Sequence, residues 1–220
     1  YFNFSKNNIK IKIYPTHINM HYIFTIEGNI GSGKSTLLNI LKQNLTNIND
    51  VDIEYLPEPV SIWESITDKN GKNIIEKYYE NQEKYAFSFQ MMAYITRLSQ
   101  LKAAIKKGYK YIITERSLLT DKMVFAKMLY DEKKIDIINY EIYNRWFEEF
   151  IADIPQINYI YIRTDPKIAE QRVIKRARVG ENISLSYLVK CHEYHEAWMN
   201  ENMSDNNISL DGNGDINELT

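Results

Sequence analysis

YIFTIEGNIGSGKST, residues 22–36, decides how this chain is to be read. An apolar, β-branched run from Tyr22 to Ile26 leads into a glycine-rich loop, and an amphipathic run (Leu37, Leu38, Ile40, Leu41, Leu45) follows. The loop fits G-x-x-x-x-G-K-[ST] at Gly28, Gly33, Lys34 and Ser35, and strand, loop, helix is the setting in which that pattern binds phosphate. Glycines at 28, 31 and 33 let the backbone curl, so that the N–H groups of Asn29, Ile30, Ser32 and their neighbours through Thr36 point at phosphate oxygens. A helix opening at Lys34 adds the positive end of its dipole. The Lys34 ammonium reaches β- and γ-phosphates, and the Ser35 hydroxyl suits Mg²⁺, which prefers hard oxygen donors, water and phosphate. The stretch predicts a bound nucleoside triphosphate.

Outward from this loop, 220 residues suit a single α/β domain with an ample core. A hydrophobic content of 44% with 25% charged residues is ordinary for a soluble globular chain. The net charge of −2 gives no electrostatic case for nucleic-acid or membrane binding. No apolar stretch approaches a membrane span, and no secretory signal is evident. One cysteine, Cys191, excludes an internal disulfide framework and suits a reducing interior, so a cytoplasmic location is expected. Residues 1–19 have no helical period and precede Met20. They read as an extra edge strand, an arm, or sequence upstream of the true start, and a chain beginning at Met20 is expected to fold and act. The domain is therefore placed at residues 20–220, with its C-terminus read as truncated.

Strand-like runs at Tyr22–Ile26, Asp52–Leu56, Tyr109–Thr114, Ile157–Arg163 and Asn207–Leu210 alternate with helical periodicity. Helices are expected over Ile74–Lys107 (broken near Asn81 and Gln82), Asp121–Tyr130, Asp136–Ile151, Pro166–Arg178 and Ser184–Met203. Near-continuous apolar strands between helices predict a doubly wound, five-stranded parallel sheet with helices on both faces. Ligands of such a sheet sit beyond the carboxyl ends of the strands. Those ends carry Glu58-Pro59 and Glu115-Arg116-Ser117. A carboxylate there can take a proton from an attacking hydroxyl, and an arginine beside it can neutralise charge on a transferring phosphoryl group.

With GNIGSGKST come LPEPVSIW, NGKNIIEKYYENQEKYAFSFQ, ITERSLLTDKMVF, QRVIKRAR and YLVKCHEYHEAW, in that order. In these motifs the chain resembles the deoxynucleoside kinases of the deoxycytidine/deoxyguanosine kinase type, from about Tyr22 to Leu210. The resemblance implies transfer of the γ-phosphoryl of ATP, with Mg²⁺, to the 5′-hydroxyl of a deoxynucleoside. It makes Glu58 the general base, Arg116 the organiser of that carboxylate and of the phosphates, and Glu115 the partner of Ser35 on Mg²⁺. Gln90 is implied to hydrogen-bond the base, with Phe89, Phe125, Trp63 and Ile30 as pocket walls. Tyr79 and Glu181 are implied at the 3′-hydroxyl. Arg172, Arg176 and Arg178 resemble the family's lid, and Asp211, Gly212 and Asn213 its loop beside the donor adenine. Basic residues spaced by four and then two cannot share one helix face, so the lid is expected to unwind around Val179-Gly180.

Ala93, Arg97 and Asp121 bear on base choice. Relatives preferring cytosine or purine carry a matching Arg–Asp pair, and an ionised Asp121 accepts from an exocyclic amino group but meets a carbonyl on thymine. Deoxycytidine or a purine deoxynucleoside is thus expected over thymidine; the alternative for the pair is a structural salt bridge outside the pocket. Tyr78 stands where relatives commonly place methionine in the nucleoside pocket, a departure that would tighten the pocket or admit a different base. The resemblance also implies a homodimer, through helices beginning near Ile74 and Asp121. The rival readings are a thymidine-preferring relative, a nucleoside-monophosphate kinase such as thymidylate kinase, and a non-catalytic subunit retaining the fold. His192 and His195 fall one residue short of the zinc spacing H-E-x-x-H and read as helix residues, and Cys191 reads as core.

Overall fold

The strand that delivers the phosphate-binding loop lies inside a sheet of parallel neighbours. The structure, a computed structural model, describes residues 2–4, 9–11, 21–178, 180–202 and 207–214. The elements are β1 (Phe2–Phe4), β2 (Ile9–Ile11), β3 (Tyr22–Glu27), α1 (Lys34–Asn44), β4 (Asn47–Ile48), β5 (Val51–Leu56), α2 (Val60–Ser65), α3 (Ile74–Glu80) and α4 (Gln82–Lys106). After these come β6 (Tyr111–Glu115), α5 (Leu118–Thr120), a π-helical turn (Asp121–Ala126), α6 (Lys127–Asp131), α7 (Ile137–Ile151), β7 (Ile157–Arg163), α8 (Pro166–Arg176), α9 (Leu185–Asn202) and β8 (Ile208–Asp211).

The main sheet runs β4-β5-β6-β3-β7-β8. All neighbours pair in parallel except the two-residue β4, which is antiparallel to β5. The expected parallel sheet is present, with β4 as an addition too short for periodicity to reveal. β1 and β2 pair with each other in a separate antiparallel sheet, so these described parts of residues 1–19 are not an edge of the main one.

Alternate side chains of each buried strand feed opposite layers, as strand geometry requires. Phe24, Ile26, Tyr111 and Ile113 pack with Leu37 and Leu38 of α1. Ile23 and Ile112 pack on the other side with Tyr94, Leu98 and Leu101 of α4 and Tyr143 and Phe147 of α7. α3 opens with a capping box between Asn73 and Glu76. It stops at Asn81, whose side chain caps α4 by accepting from Lys84 N, so the break falls where the polar stretch placed it.

Two helices differ from expectation. The segment expected as a plain helix from Asp121 begins earlier, as α5, and continues as a π turn. Such turns concentrate at functional sites, and Asp121 and Phe125 of this turn both line the same cavity. α8 starts as predicted, with Asp165 capping and Pro166 in the first turn, but ends at Arg176 rather than Arg178. Ala177 is left-handed there (φ 49), which stops the helix ahead of Val179-Gly180; Val179 lies outside the described residues.

Candidate active site

The ends of β3, β5 and β6 converge. After β3, Gly28 takes φ 141, and a Cβ there would lie 2.6 Å from the Ile162 carbonyl oxygen; only glycine fits. Asn29 fixes the loop by donating to the Leu188 carbonyl at 2.8 Å and accepting from Ile30 N at 2.8 Å. Lys34 Nζ donates to the Asn29 carbonyl at 2.7 Å. Burial, helped by the nearby Arg116 charge, pulls the Lys34 amine down to about 7 against the opposing pull of Glu115, Glu58 and Glu27. Ser35 Oγ donates to Glu115 Oε1 at 2.8 Å.

Glu58 lies beyond β5, between two arginines. Its Oε1 accepts from Arg97 Nη2 at 2.7 Å and from Arg116 Nη1 at 2.8 Å. Burial would raise this carboxyl, but Arg116, Arg97 and Lys34 outweigh it and hold the group well below the usual carboxylate range. Arg116 has φ 63, a left-handed conformation that costs a bulky residue on the order of 1–3 kcal/mol. Two bonds hold it there: Arg116 N to the Ile26 carbonyl at 3.0 Å and Thr114 Oγ1 to the Arg116 carbonyl at 2.7 Å. Arg97 Nε donates to Asp121 Oδ2 at 3.1 Å and Oδ1 at 3.3 Å, and Nη1 donates to the Glu115 carbonyl at 3.2 Å. Burial raises Asp121 to about 6, against the pull of Arg97 and Arg116. Each guanidinium also lies over a ring, Arg97 over Trp63 at 5.2 Å and Arg116 over Phe125 at 5.1 Å.

These groups line one cavity of about 560 Å³, the size of a small-molecule site. The phosphate-loop residues Ile30, Gly31, Gly33, Lys34, Ser35 and Thr36 line it, with Glu58, Glu115 and Arg116. Trp63, Tyr79, Phe89, Gln90, Ala93, Arg97, Asp121 and Phe125 line it as well. Gln90 is 2% exposed and its Oε1 has no hydrogen-bond partner among the described residues. A buried amide left unpaired is costly unless something binds it, so this atom marks a place for a ligand. Phe89 stacks on Tyr78 (4.6 Å, 20°) and meets Trp63 edge-on at 5.6 Å.

The deoxynucleoside kinase family model matches residues 24–219. This chain belongs to the deoxynucleoside kinase family. It is 38% identical over 186 residues to a probable deoxycytidine kinase of fowlpox virus, covering 83% of this chain and 73% of the relative. It is 34% identical over 197 residues to the deoxycytidine kinase of Homo sapiens, covering 80% and 74%. The mitochondrial thymidine kinase 2 of Homo sapiens is 29% identical over 180 residues, covering 80% and 64%.

Elsewhere in the kinase, Arg172, Arg176, Arg178 and Glu181 also line the cavity. Arg172 donates to the carbonyls of Ser32 (3.4 Å) and Gly214 (2.7 Å), tying α8 to the phosphate loop. Arg176 and Arg178 both pair with Glu181, the latter at 3.6 Å. Gly28, Asn29 and Ser32 shape the loop from behind rather than line the cavity. Asp211, Gly212 and Asn213 do not line it either; Asn213 Oδ1 accepts from Asp165 N at 2.8 Å and steadies the start of α8. Tyr78, expected at a nucleoside-pocket position, is in the lining, and Ile75, Lys175 and Tyr187, which the sequence did not single out, join it. Tyr78 and Tyr187 share a hydroxyl–hydroxyl bond of 2.9 Å. The direct Arg97–Glu58 contact also has no sequence signal, since the two are 39 residues apart. Cys191 is buried, and burial raises its thiol to about 12, unsuited to nucleophilic work. His195 is buried with Nδ1 2.6 Å from the Cys191 carbonyl, and burial lowers its pKa to about 3.

Proposed function

We propose that this kinase transfers the γ-phosphoryl of ATP to the 5′-hydroxyl of deoxycytidine or a purine deoxynucleoside, in preference to thymidine. The observation carrying this reading is the buried Gln90 Oε1, unpaired among the described residues, in the same cavity as the phosphate loop, with Glu58 among the lining groups. Gln90 and the Arg97–Asp121 pair would read the base. Phe89, Phe125 and Trp63 would enclose it, with Ala93 leaving it room, and Tyr79 and Glu181 would meet the 3′-hydroxyl. In the reaction the 5′-oxygen bonds to the γ-phosphorus as the bond to the ADP oxygen breaks, and the hydroxyl proton passes to Glu58. Arg116, Lys34 and the arginines of α8 stabilise the charge on the phosphates.

Ser35 Oγ and Glu115 Oε1, 2.8 Å apart and both lining the cavity, form a hard-oxygen pair that fits Mg²⁺. Bound there, the ion would neutralise phosphate charge. We also propose that the kinase acts in the cytoplasm as a homodimer. No described helix is long and apolar enough to cross a membrane. Ile138, Ile142 and Trp146 of α7 form one exposed apolar stripe at helical spacing, and Ile95 is exposed on α4, part of the helical run that begins near Ile74, which supports a dimer face that includes α4 and α7.

Two kinds of acceptor separate this reading from a monophosphate kinase. Incubation with γ-labelled ATP should label deoxycytidine and leave deoxynucleoside monophosphates unlabelled; label on the monophosphates alone would overturn it. Gln90→Leu should raise the KM for deoxycytidine by at least about tenfold and leave that for ATP unchanged.

A further inference from the structure

Arg97 holds two carboxylates at once, one buried and one part-buried. Its Nε faces Asp121 and its Nη2 faces Glu58, with Asp121, Arg97 and Glu58 exposed by only 2%, 7% and 13%. Both guanidiniums that touch Glu58 bind the same oxygen, Oε1, and Oε2 has no partner among the described residues. Resting on the reading of Glu58 as the base, we propose that Asp121 is a positioning residue for the chemical step: by drawing on Arg97, it limits how tightly Arg97 clamps the carboxylate that takes the proton.

The argument is one of shared charge. A guanidinium divided between two carboxylates withdraws less basicity from each than one given wholly to a single partner. In a water-poor site that difference is large, because buried charges are weakly screened. Proton transfer to a base follows its basicity, so a fully clamped Glu58 is a slower base. Asp121 is held in place to do this. The preceding Thr120 bonds through its hydroxyl to buried Glu27, whose other oxygen accepts from Ser117 N at 2.9 Å. Arg116, by contrast, pairs with no second carboxylate among the described residues: its guanidinium's other hydrogen bond there goes to the Gly28 carbonyl at 3.5 Å. Arg97 is therefore the clamp that Asp121 can relax.

Deoxyuridine tests this apart from base recognition, because its base has no amino group for Asp121 to accept from. If Asp121 only reads the base, Asp121→Asn should improve deoxyuridine kinetics, since the new amide can donate to the carbonyl. If Asp121 relaxes Arg97, the same variant should lose about tenfold in kcat without a rise in KM. Adding Arg97→Met to Asp121→Asn should then restore kcat to within about threefold of the unaltered kinase. An unchanged kcat in Asp121→Asn, or a further loss in the double variant, would overturn the proposal. Should Asp121→Asn fail to fold, Asp121→Ser carries the same test: a loss of about tenfold in kcat without a rise in KM supports the coupling, and an unchanged kcat overturns it. Activity of the unaltered chain separates the two levels: active with no coupling between the variants, only this proposal fails; inactive with every deoxynucleoside, the functional reading fails and takes it along.

Discussion

Glu58 and Lys34 are buried charges whose surroundings push them in opposite directions. For Glu58 the cations win over burial, so its folded pKa is depressed. A depressed carboxylate contributes stability above its unfolded pKa of about 4 and loses it as pH falls through the folded value. Denaturant unfolding of Glu58→Gln should therefore change less between pH 7 and pH 3 than that of the unaltered chain. The same variant should lose roughly 10²–10⁴ in kcat with little change in nucleoside affinity, and an intact kcat would remove Glu58 from the chemistry. For Lys34 burial wins, to about 7. A depressed amine contributes stability above its unfolded pKa and loses it as pH falls through about 7, where the buried group must charge. A triphosphate in the loop reverses this by favouring the ammonium. ATP binding at pH 8 should accordingly take up about one proton, seen by calorimetry as a dependence on buffer ionisation heat, and Lys34→Met should abolish it. At this scale the phosphate-loop residues were legible because their signal is local spacing. The contact of Arg97 with Glu58 was not, since it exists only once α4 crosses the end of β5.

Among the elements, the phosphate loop depends on how closely β7 runs beside it. A methyl on Gly28 would meet the Ile162 carbonyl at 2.6 Å in a backbone that side chains disfavour. Gly28→Ala should lower the melting temperature and weaken ATP binding by at least about tenfold; normal binding would mean that the loop has slack the packing does not show. The helices and strands with long, clean periodicity were legible, down to the break at Asn81. The π turn was not, because one extra residue per turn leaves no mark in an apolar pattern already set by α5 and α6. Nor was the stop of α8, which rests on a left-handed alanine where no glycine or proline announces it. Its arginines were legible as a group, while their capture by Glu181 depends on the chain folding back beyond Ala177.

For the whole molecule, the parallel pairing of the strands follows from alternating buried strands and helices, and so does the position of the cavity at their carboxyl ends, whereas the order of the strands had no sequence signal. Two short pieces escaped, β4 and the β1–β2 pair, since neither is long enough to carry a period. The apolar stripe on α7 is a property of the surface rather than of the fold. If it is a dimer face, light scattering should give twice the chain mass, and Trp146→Glu should halve it; a monomeric unaltered chain would contradict this. The most direct test of the account is kcat/KM for the four deoxynucleosides with γ-labelled ATP. The proposed base pocket predicts transfer to deoxycytidine, deoxyadenosine or deoxyguanosine, with thymidine the poorest because its carbonyl would face the Asp121 carboxylate lining the cavity. A preference for thymidine over the other three would contradict the reading of the base pocket, and no labelled monophosphate from any of them would contradict the account as a whole.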